Sequence, residues 1–404
     1  MRAETIRALD YWLGIPGCGL LSAVRQFLPE RPAKPQRILF LKFIEQGATV
    51  LAQDAIARAT RALGRDNVYF CVFESNRAIL DVLETVPPGN VICIRDRSLA
   101  TFAADFIEAL LSVRRRGIDT VIDMEFFSRA SAIFAFLSGA AIRVGLHRFT
   151  GELPYRGDLM THRMQYLPHL HIAQQYSLLV EAAFHDPHDQ PLLKVPLRDL
   201  GAIAPAAAPQ FMADGRDLQQ MRERIGAAGA SPIVILNPNA SDLLPLRKWP
   251  VARFAELARR ILDAYPHARI VLTGGPAETS AADGLIREVA SPRIVSVAGH
   301  TSLRELLTLY SVADVLVTND SGPGHFASLT PVHAIVLFGP ETPRLFGPLA
   351  ASSTVIWKEL ACSPCVNVFN HRESPCRNNV CMQMITVDDV DAAVEHALAQ
   401  RVRQ

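Results

Sequence analysis

No charge of one sign dominates this chain: 41 Lys and Arg stand against 40 Asp and Glu, a formal net charge of +1. A broad field that would gather nucleic acid is therefore absent, and a general nucleic-acid binder is excluded on bulk electrostatics. Long hydrophobic runs are also missing. The longest, residues 11–24, falls short of the roughly 20 residues that cross a bilayer, and Gly14, Pro16, Gly17 and Gly19 interrupt it. It does not read as a cleaved leader either, because Glu4 and Asp10 dilute Arg2 and Arg7 and no small-x-small site follows. Low-complexity tracts are lacking, and Gly (23) and Pro (27) are near average usage, which excludes collagen-like and extensively disordered chains. Cysteine is sparse and odd in number, seven in all, a pattern of reduced intracellular thiols rather than of a secreted disulfide scaffold. What is present is 404 residues, 49% of them hydrophobic, enough for two or three domains with cores of ordinary size.

The first 36 residues form an extension of their own. Ile6, Leu9, Tyr11, Trp12 and Leu13 are followed by Leu20, Leu21, Val24, Phe27 and Leu28, with Arg25, Arg31, Lys34 and Arg37 alongside or just after. Aromatic residues beside basic ones suit the surface of an anionic membrane. A helical hairpin packed on the domain behind it is an equal reading. The Pro-rich stretch 29–35 then acts as a stiff spacer.

From residue 37 onward, short aliphatic and β-branched runs alternate with helical patterns, the signature of βαβ units and a parallel α/β sheet. The pattern predicts strands at 38–42, 68–73, 91–94 and 120–123 with helices at 49–63 and 99–115. A second set has strands at 233–237, 269–273, 294–296, 315–318 and 333–338 with helices at 251–265, 279–289 and 302–310. The Ala- and Pro-rich stretch 200–209 has no clear period and reads as the linker. The expected division is an extension (1–36), a first domain (37–205), a second domain (206–386) and a last helix (387–404) that could pack back on the first domain.

In doubly wound sheets ligands gather at the carboxyl ends of the strands. Three glycine turns fall there in the second set: Gly274-Gly275-Pro276, Asn319-Asp320-Ser321-Gly322-Pro323-Gly324-His325, and Gly339-Pro340. Together they offer a floor where a ligand can approach the backbone, with helix N-termini whose free N–H groups suit a diphosphate. Residues 322–327 also match a dinucleotide fingerprint, but it lies in a late unit and Pro323 lacks the amide a phosphate turn would use, so a nicotinamide-dependent oxidoreductase is disfavoured. Cys362 and Cys365, with Cys376 and Cys381, have a spacing that could hold zinc; reduced structural thiols are the other reading, and no metal is assigned.

Several passages in order resemble glycosyltransferase family 9, the ADP-heptose:lipopolysaccharide heptosyltransferases: RILFLKFIEQGATVL, VIDMEFFSRASA, ILNPNASDLLPLRKWPVARFAEL, VLTGGPAE, VAGHTSLREL, VTNDSGPGHFASL, LFGPETPRLFGP and the tail from CSPC to VCMQMIT. The most specific items are Asp320-Ser321-Gly322 with His325, and Lys248-Trp249-Pro250. The resemblance covers residue 37 to the end. It implies the GT-B architecture, two Rossmann-like domains facing across a cleft, the first binding the acceptor and the second the nucleotide-sugar. It also implies an inverting transfer of heptose or a related sugar, from an ADP-heptose-like donor to a lipid-linked saccharide, with no cofactor required.

Such a transfer needs positive groups for the leaving diphosphate and a base for the acceptor hydroxyl. For the donor side the resemblance points to Asn239, Arg247, Lys248, Gly274, Gly275, Glu278, Asp320, Ser321, Gly322 and His325. Arg247 and Lys248 could reach phosphate oxygens or be a solvated pair. Ser321 could cap the helix starting at Gly322, and Asp320 could take sugar hydroxyls or serve as a second cap. Glu278 could hold ribose or sugar hydroxyls, or simply answer the helix dipole. On the acceptor side Lys42 and Gly47 match the opening motif, but Ala48 stands where the family has the Asp proposed as base. The base is then expected at Glu45, with Asp123 second and Glu125 close by; the alternative is a GT-B protein that binds sugar nucleotide or glycolipid without transfer. His162, His169 and His171 read as an acceptor-facing loop or a plain surface loop. The expected location is the cytoplasm, peripheral on the inner face of the cytoplasmic membrane.

Overall fold

Short runs of Val, Ile, Leu and Phe become two parallel six-stranded sheets in the computed structural model, which describes residues 8, 10–29, 33–147, 156–200, 209–227, 229, 232–240, 244–350, 352–370 and 373–401. The chain divides into two units, Met1–Ala206 and Ala207–Gln404. In the first, β1 (Ile38–Leu41), β2 (Val68–Phe73), β3 (Val91–Ile94), β4 (Thr120–Asp123), β5 (Ile142–Leu146) and β6 (His162–Met164) lie in the order β3-β2-β1-β4-β5-β6. Central β1 is buried at every position: Leu39 and Leu41 join a core with Phe73, Phe134 and Val121, while Ile38 and Phe40 are equally buried on the other face. A strand covered on both faces must be apolar throughout, as this one is.

The second unit repeats the design with β7 (Ile233–Asn237), β8 (Arg269–Leu272), β9 (Ile294–Ser296), β10 (Val315–Asn319), β11 (His333–Phe338) and β12 (Ser353–Trp357), ordered β12-β11-β10-β7-β8-β9. Its core joins Leu236, Val317 and Leu337 of the sheet to Trp249, Leu257 and Ile261. The last helix, Val387–Arg401, belongs to this unit. Val390, Val394, Ala397 and Leu398 enter the same core, and Arg401 Nη1 donates to Ala313 O at 2.7 Å. The apolar stripe of this helix is buried on the second sheet.

The described part of the extension forms helix Gly14–Arg25, which packs against helix Arg129–Leu137 of the first unit. Asp10 accepts from Arg129 N (2.9 Å) and Ala130 N (3.0 Å) at the start of that second helix, where its charge also meets the positive helix end. Gly157, at φ +65°, has no room for a Cβ because Ser22 and the Cys18 carbonyl lie against it. Residues 1–7 and 9, most of the proposed linker (201–208) and the middle of the spacer (30–32) lie outside the described residues. Among the described residues no helix is long and apolar enough to cross a membrane.

Candidate functional site

Two sets of polar residues stand at carboxyl edges, one in each unit. In the first, Lys42 follows β1 with its side chain wholly buried, an expensive position for an ammonium unless it is paired. Lys42 Nζ donates to Glu125 Oε2 at 2.9 Å and to Glu45 Oε2 at 3.2 Å, and lies 5.8 Å from the centre of the Phe126 ring. Burial works against its charge, but Glu125 and then Glu45 outweigh burial and raise its pKa above that of an ordinary lysine. Burial pushes the Glu125 carboxyl up, against the pull of Lys42. Glu125 Oε1 also accepts from Phe43 N (2.7 Å) and Ile44 N (3.3 Å), so one carboxylate fixes the lysine and the backbone turn together.

Glu45 closes this turn. It precedes helix Gln46–Leu51 with φ 70° and ψ 79°, a left-handed conformation that costs a non-glycine residue about 1–2 kcal/mol. Its side chain is 26% exposed, against 7% for Glu125 and none for Asp123. Of the three carboxylates, Glu45 is therefore the most exposed. Gly47 is buried in the helix and Ala48, half-buried beside it, supplies no proton acceptor.

Asp123 has a different occupation. Its Oδ1 accepts from Glu125 N at 3.0 Å, its Oδ2 accepts from Ser131 Oγ at 2.8 Å, and Arg156 pairs with it. A fully buried carboxylate held by three donors is a structural anchor, so its expected standing as second candidate base is set aside. The histidine reading is corrected too. His162 is a buried residue of β6, bonded to Thr161 Oγ1 (2.9 Å) and His185 O (3.1 Å), and its burial lowers its pKa. His171 Nδ1 accepts from Ala173 N at 3.2 Å and so caps helix Ile172–Ala182; only His169 is exposed.

In the second unit three asparagines tie the edge together. Asn237 ends β7 and Asn319 ends β10. Asn319 Oδ1 accepts from Trp249 N at 3.0 Å, while its Nδ2 donates to Pro238 O (3.0 Å) and Asn239 O (3.2 Å). Asn237 Nδ2 reaches Thr273 Oγ1 at 3.0 Å, and Asn239 Nδ2 reaches Thr273 O at 3.0 Å. The turns after β7, β8 and β10 are thus one hydrogen-bonded unit. Sequence reasoning gave no role to Asn237, and named Asn319 only as the start of a turn; the available signal was an asparagine closing each of two otherwise apolar or β-branched runs.

Arg247 bridges the next pair of turns. Its Nε is 3.2 Å from Asp320 Oδ2 and its Nη2 2.9 Å from Glu341 Oε1, with both carboxylates buried. The guanidinium joins the turn after β10 to the turn after β11. Lys248, next in the chain and half-buried, is the remaining member of the basic pair. Ser321 does not cap helix Gly322–Ala327; its hydroxyl donates to Asn319 O at 3.1 Å instead. His325 is half-buried in the first turn of that helix.

The glycine turns also serve internal packing. A Cβ at Gly274 would stand 2.7 Å from Asn239 Nδ2, so the glycine makes room for the asparagine. Glu278 accepts from Gly275 N, closing the turn at the start of its helix. At Gly339 a methyl would collide with Met382 and approach Cys381 Sγ at 3.1 Å. The cysteine tail folds over this turn: Cys365 N donates to Pro340 O at 3.1 Å and Ser374 Oγ to Cys365 Sγ at 3.2 Å. Burial, then the neighbouring Cys365, Cys376 and Cys362, raises the Cys381 thiol pKa. Among the described residues no group of three or more His, Cys, Asp or Glu is placed to hold a metal ion.

Two parallel α/β sheets of this order, each with its polar residues at the carboxyl edge, define a fold of the GT-B class. The chain belongs to glycosyltransferase family 9 (heptosyltransferase), whose model matches residues 109–374. It is similar to lipooligosaccharide heptosyltransferase 2 of Haemophilus influenzae, 26% identical over 162 residues, covering 39% of this chain and 46% of that protein. The chain spans about half the length of the first curated relatives it matches. Two solved structures share the fold. ADP-heptose lps heptosyltransferase II of E. coli has a TM-score of 0.65 at 18% identity, covering 90% of this chain and 99% of that one. A family 9 glycosyl transferase from Veillonella parvula has 0.68 at 18% identity, covering 91% and 98%.

Proposed function

We propose that this protein transfers heptose from ADP-heptose to a lipid-linked saccharide in lipopolysaccharide synthesis, with inversion at the anomeric carbon. The reaction class rests on family membership and on relatives named lipopolysaccharide and lipooligosaccharide heptosyltransferases. The observation within this chain that carries it is Glu45: a partly exposed carboxylate, fixed by buried Lys42 in a left-handed turn at the head of a helix that has Ala48 where the family resemblance implies an Asp base.

The acceptor hydroxyl oxygen attacks the anomeric carbon, and the bond from that carbon to the β-phosphate oxygen breaks. The hydroxyl proton passes to Glu45 and ADP leaves with the bonding electron pair. Lys42 and Gly47 shape the acceptor turn. Lys248 and His325 meet the growing negative charge on the diphosphate, as a developing anion requires. Arg247 acts through Asp320 and Glu341, holding the donor turns in place, and a sugar hydroxyl of the donor is assigned to Asp320. Residence in the cytoplasm, peripheral on the inner face of the cytoplasmic membrane where such an acceptor is made, is part of the same proposal.

Purified protein is to be mixed with ADP-heptose and a lipid A–core acceptor. Glu45→Gln should lower turnover by about 100-fold or more while leaving donor binding, read as a thermal shift with ADP-heptose, intact. Unchanged turnover would remove Glu45 from the role. Donor binding without product in the unaltered protein would overturn transfer in favour of a binding protein.

A further inference from the structure

Helix Gly14–Arg25 wears its polarity inside out. Its packed side holds Gly14 against Arg129, Gly17 against Ile133, buried Cys18, and the polar pair Ser22 and Arg25. Ser22 Oγ accepts from Asp158 N at 2.8 Å, and Arg25 Nη1 donates to Asp158 O at 2.8 Å. The outer side runs Leu13, Pro16, Leu20, Ala23, Val24 and Phe27, all exposed and none polar. At 3.6 residues per turn these six fall within an arc of about 100°. Trp12, 73% exposed, and Leu28 flank the stripe, and Phe27 is 86% exposed. A surface helix normally turns its polar side to water; this one is apolar where its own domain does not cover it.

The charge of the sequence that flanks the stripe selects what covers it. Residues 1–37 hold six basic side chains against three acidic, while the rest of the chain holds 35 against 37. One acid, Asp10, is turned inward onto Arg129 and one base, Arg25, onto Asp158, which leaves five basic against two acidic. A second copy of the same stripe would bring like charge to like charge, whereas an anionic lipid surface answers both the apolar face and the basic surplus. We propose that this face lies in the plane of an anionic bilayer, with Leu20, Val24 and Phe27 entering the acyl boundary and Trp12 at headgroup level. It gives the peripheral placement proposed above its contact surface, and its test needs neither donor nor acceptor, so either reading can fail alone.

The test is flotation of the full chain with vesicles of phosphatidylcholine alone and of equal parts phosphatidylcholine and phosphatidylglycerol. Binding to the mixed vesicles should exceed binding to phosphatidylcholine by about tenfold or more, and fall with added salt. Leu20→Glu with Phe27→Glu should cut it by about tenfold or more without changing the unfolding temperature. Independently of any folding defect in that variant, mixed vesicles carrying brominated lipid should quench the unaltered protein's fluorescence, and Trp12→Phe should abolish the quenching. Absence of vesicle binding, binding that survives the double substitution, or a solution dimer that the same substitution dissociates would each overturn the proposal.

Discussion

Lys42→Met tests the electrostatic core of the first unit. Methionine keeps most of the stem volume, so little cavity forms and the change isolates the ammonium. Without it Glu125 remains buried with only the Phe43 and Ile44 amides as donors, and removing one partner of a buried pair costs about 3–5 kcal/mol. For a unit of about 200 residues that corresponds to roughly 10 °C in its unfolding temperature. The cost should also depend on pH. The Glu125 carboxyl already titrates above its ordinary value because of burial, and losing Lys42 raises it further. A group whose folded pKa lies above its unfolded pKa adds stability that is complete below the unfolded value and is lost as pH rises through the folded one. The variant should therefore be closest to the unaltered protein near pH 4–5 and weakest near pH 8. Adding Glu125→Gln removes the orphaned charge and should recover more than half of the loss at pH 8. Calorimetry at both pH values reads all three proteins. A Lys42→Met protein within about 0.5 kcal/mol of the unaltered one at pH 8, or a double variant no better than the single, would refute the reasoning.

His147, at the end of β5, is expected to destabilise the first unit in acid: burial first, then Arg163, holds its pKa down to about 4. Since an unfolded histidine titrates near 6.5, its contribution is whole above that pH and is lost as pH falls toward 4; His147→Gln should flatten urea-melt stability across that window, and an unchanged slope would contradict it. Gly339→Ala should cost about 1–3 kcal/mol by overpacking against Met382, and should cost less when made in a Met382→Ala background than in the unaltered chain; urea melts of the four proteins read this coupling, and equal costs in the two backgrounds would contradict it.

How much of this was legible beforehand follows from where the information resides. Strands buried on both faces, such as β1 and β7, announce themselves as uninterrupted apolar runs, and the pattern places them within a residue or so. β5 escaped because Arg143 and Gly145 break its run, β6 because it has three residues, and β12 because an edge strand is only half-buried and has no need of a pure apolar sequence. At the candidate site the sequence identifies residue types that can do chemistry, and Lys42, Glu45, Asp320 and Arg247 do reach the carboxyl edges of their sheets. It does not say which are already engaged. Asp123 and Glu45 look interchangeable on paper, two carboxylates after two neighbouring strands. Arg156, 33 residues along, and Ser131 consume the first, whereas the second shares its lysine with Glu125 and keeps a face to solvent. Partnership across such distances in the chain is a property of the fold, so a motif can nominate a base but only the packed structure can withdraw the nomination. The same reasoning applies to Arg247: a cation beside a diphosphate motif invites assignment to phosphate, yet two buried carboxylates at 2.9 and 3.2 Å are a stronger claim on it. Charge in a site is thus better assigned by asking first which charges the protein has already neutralised.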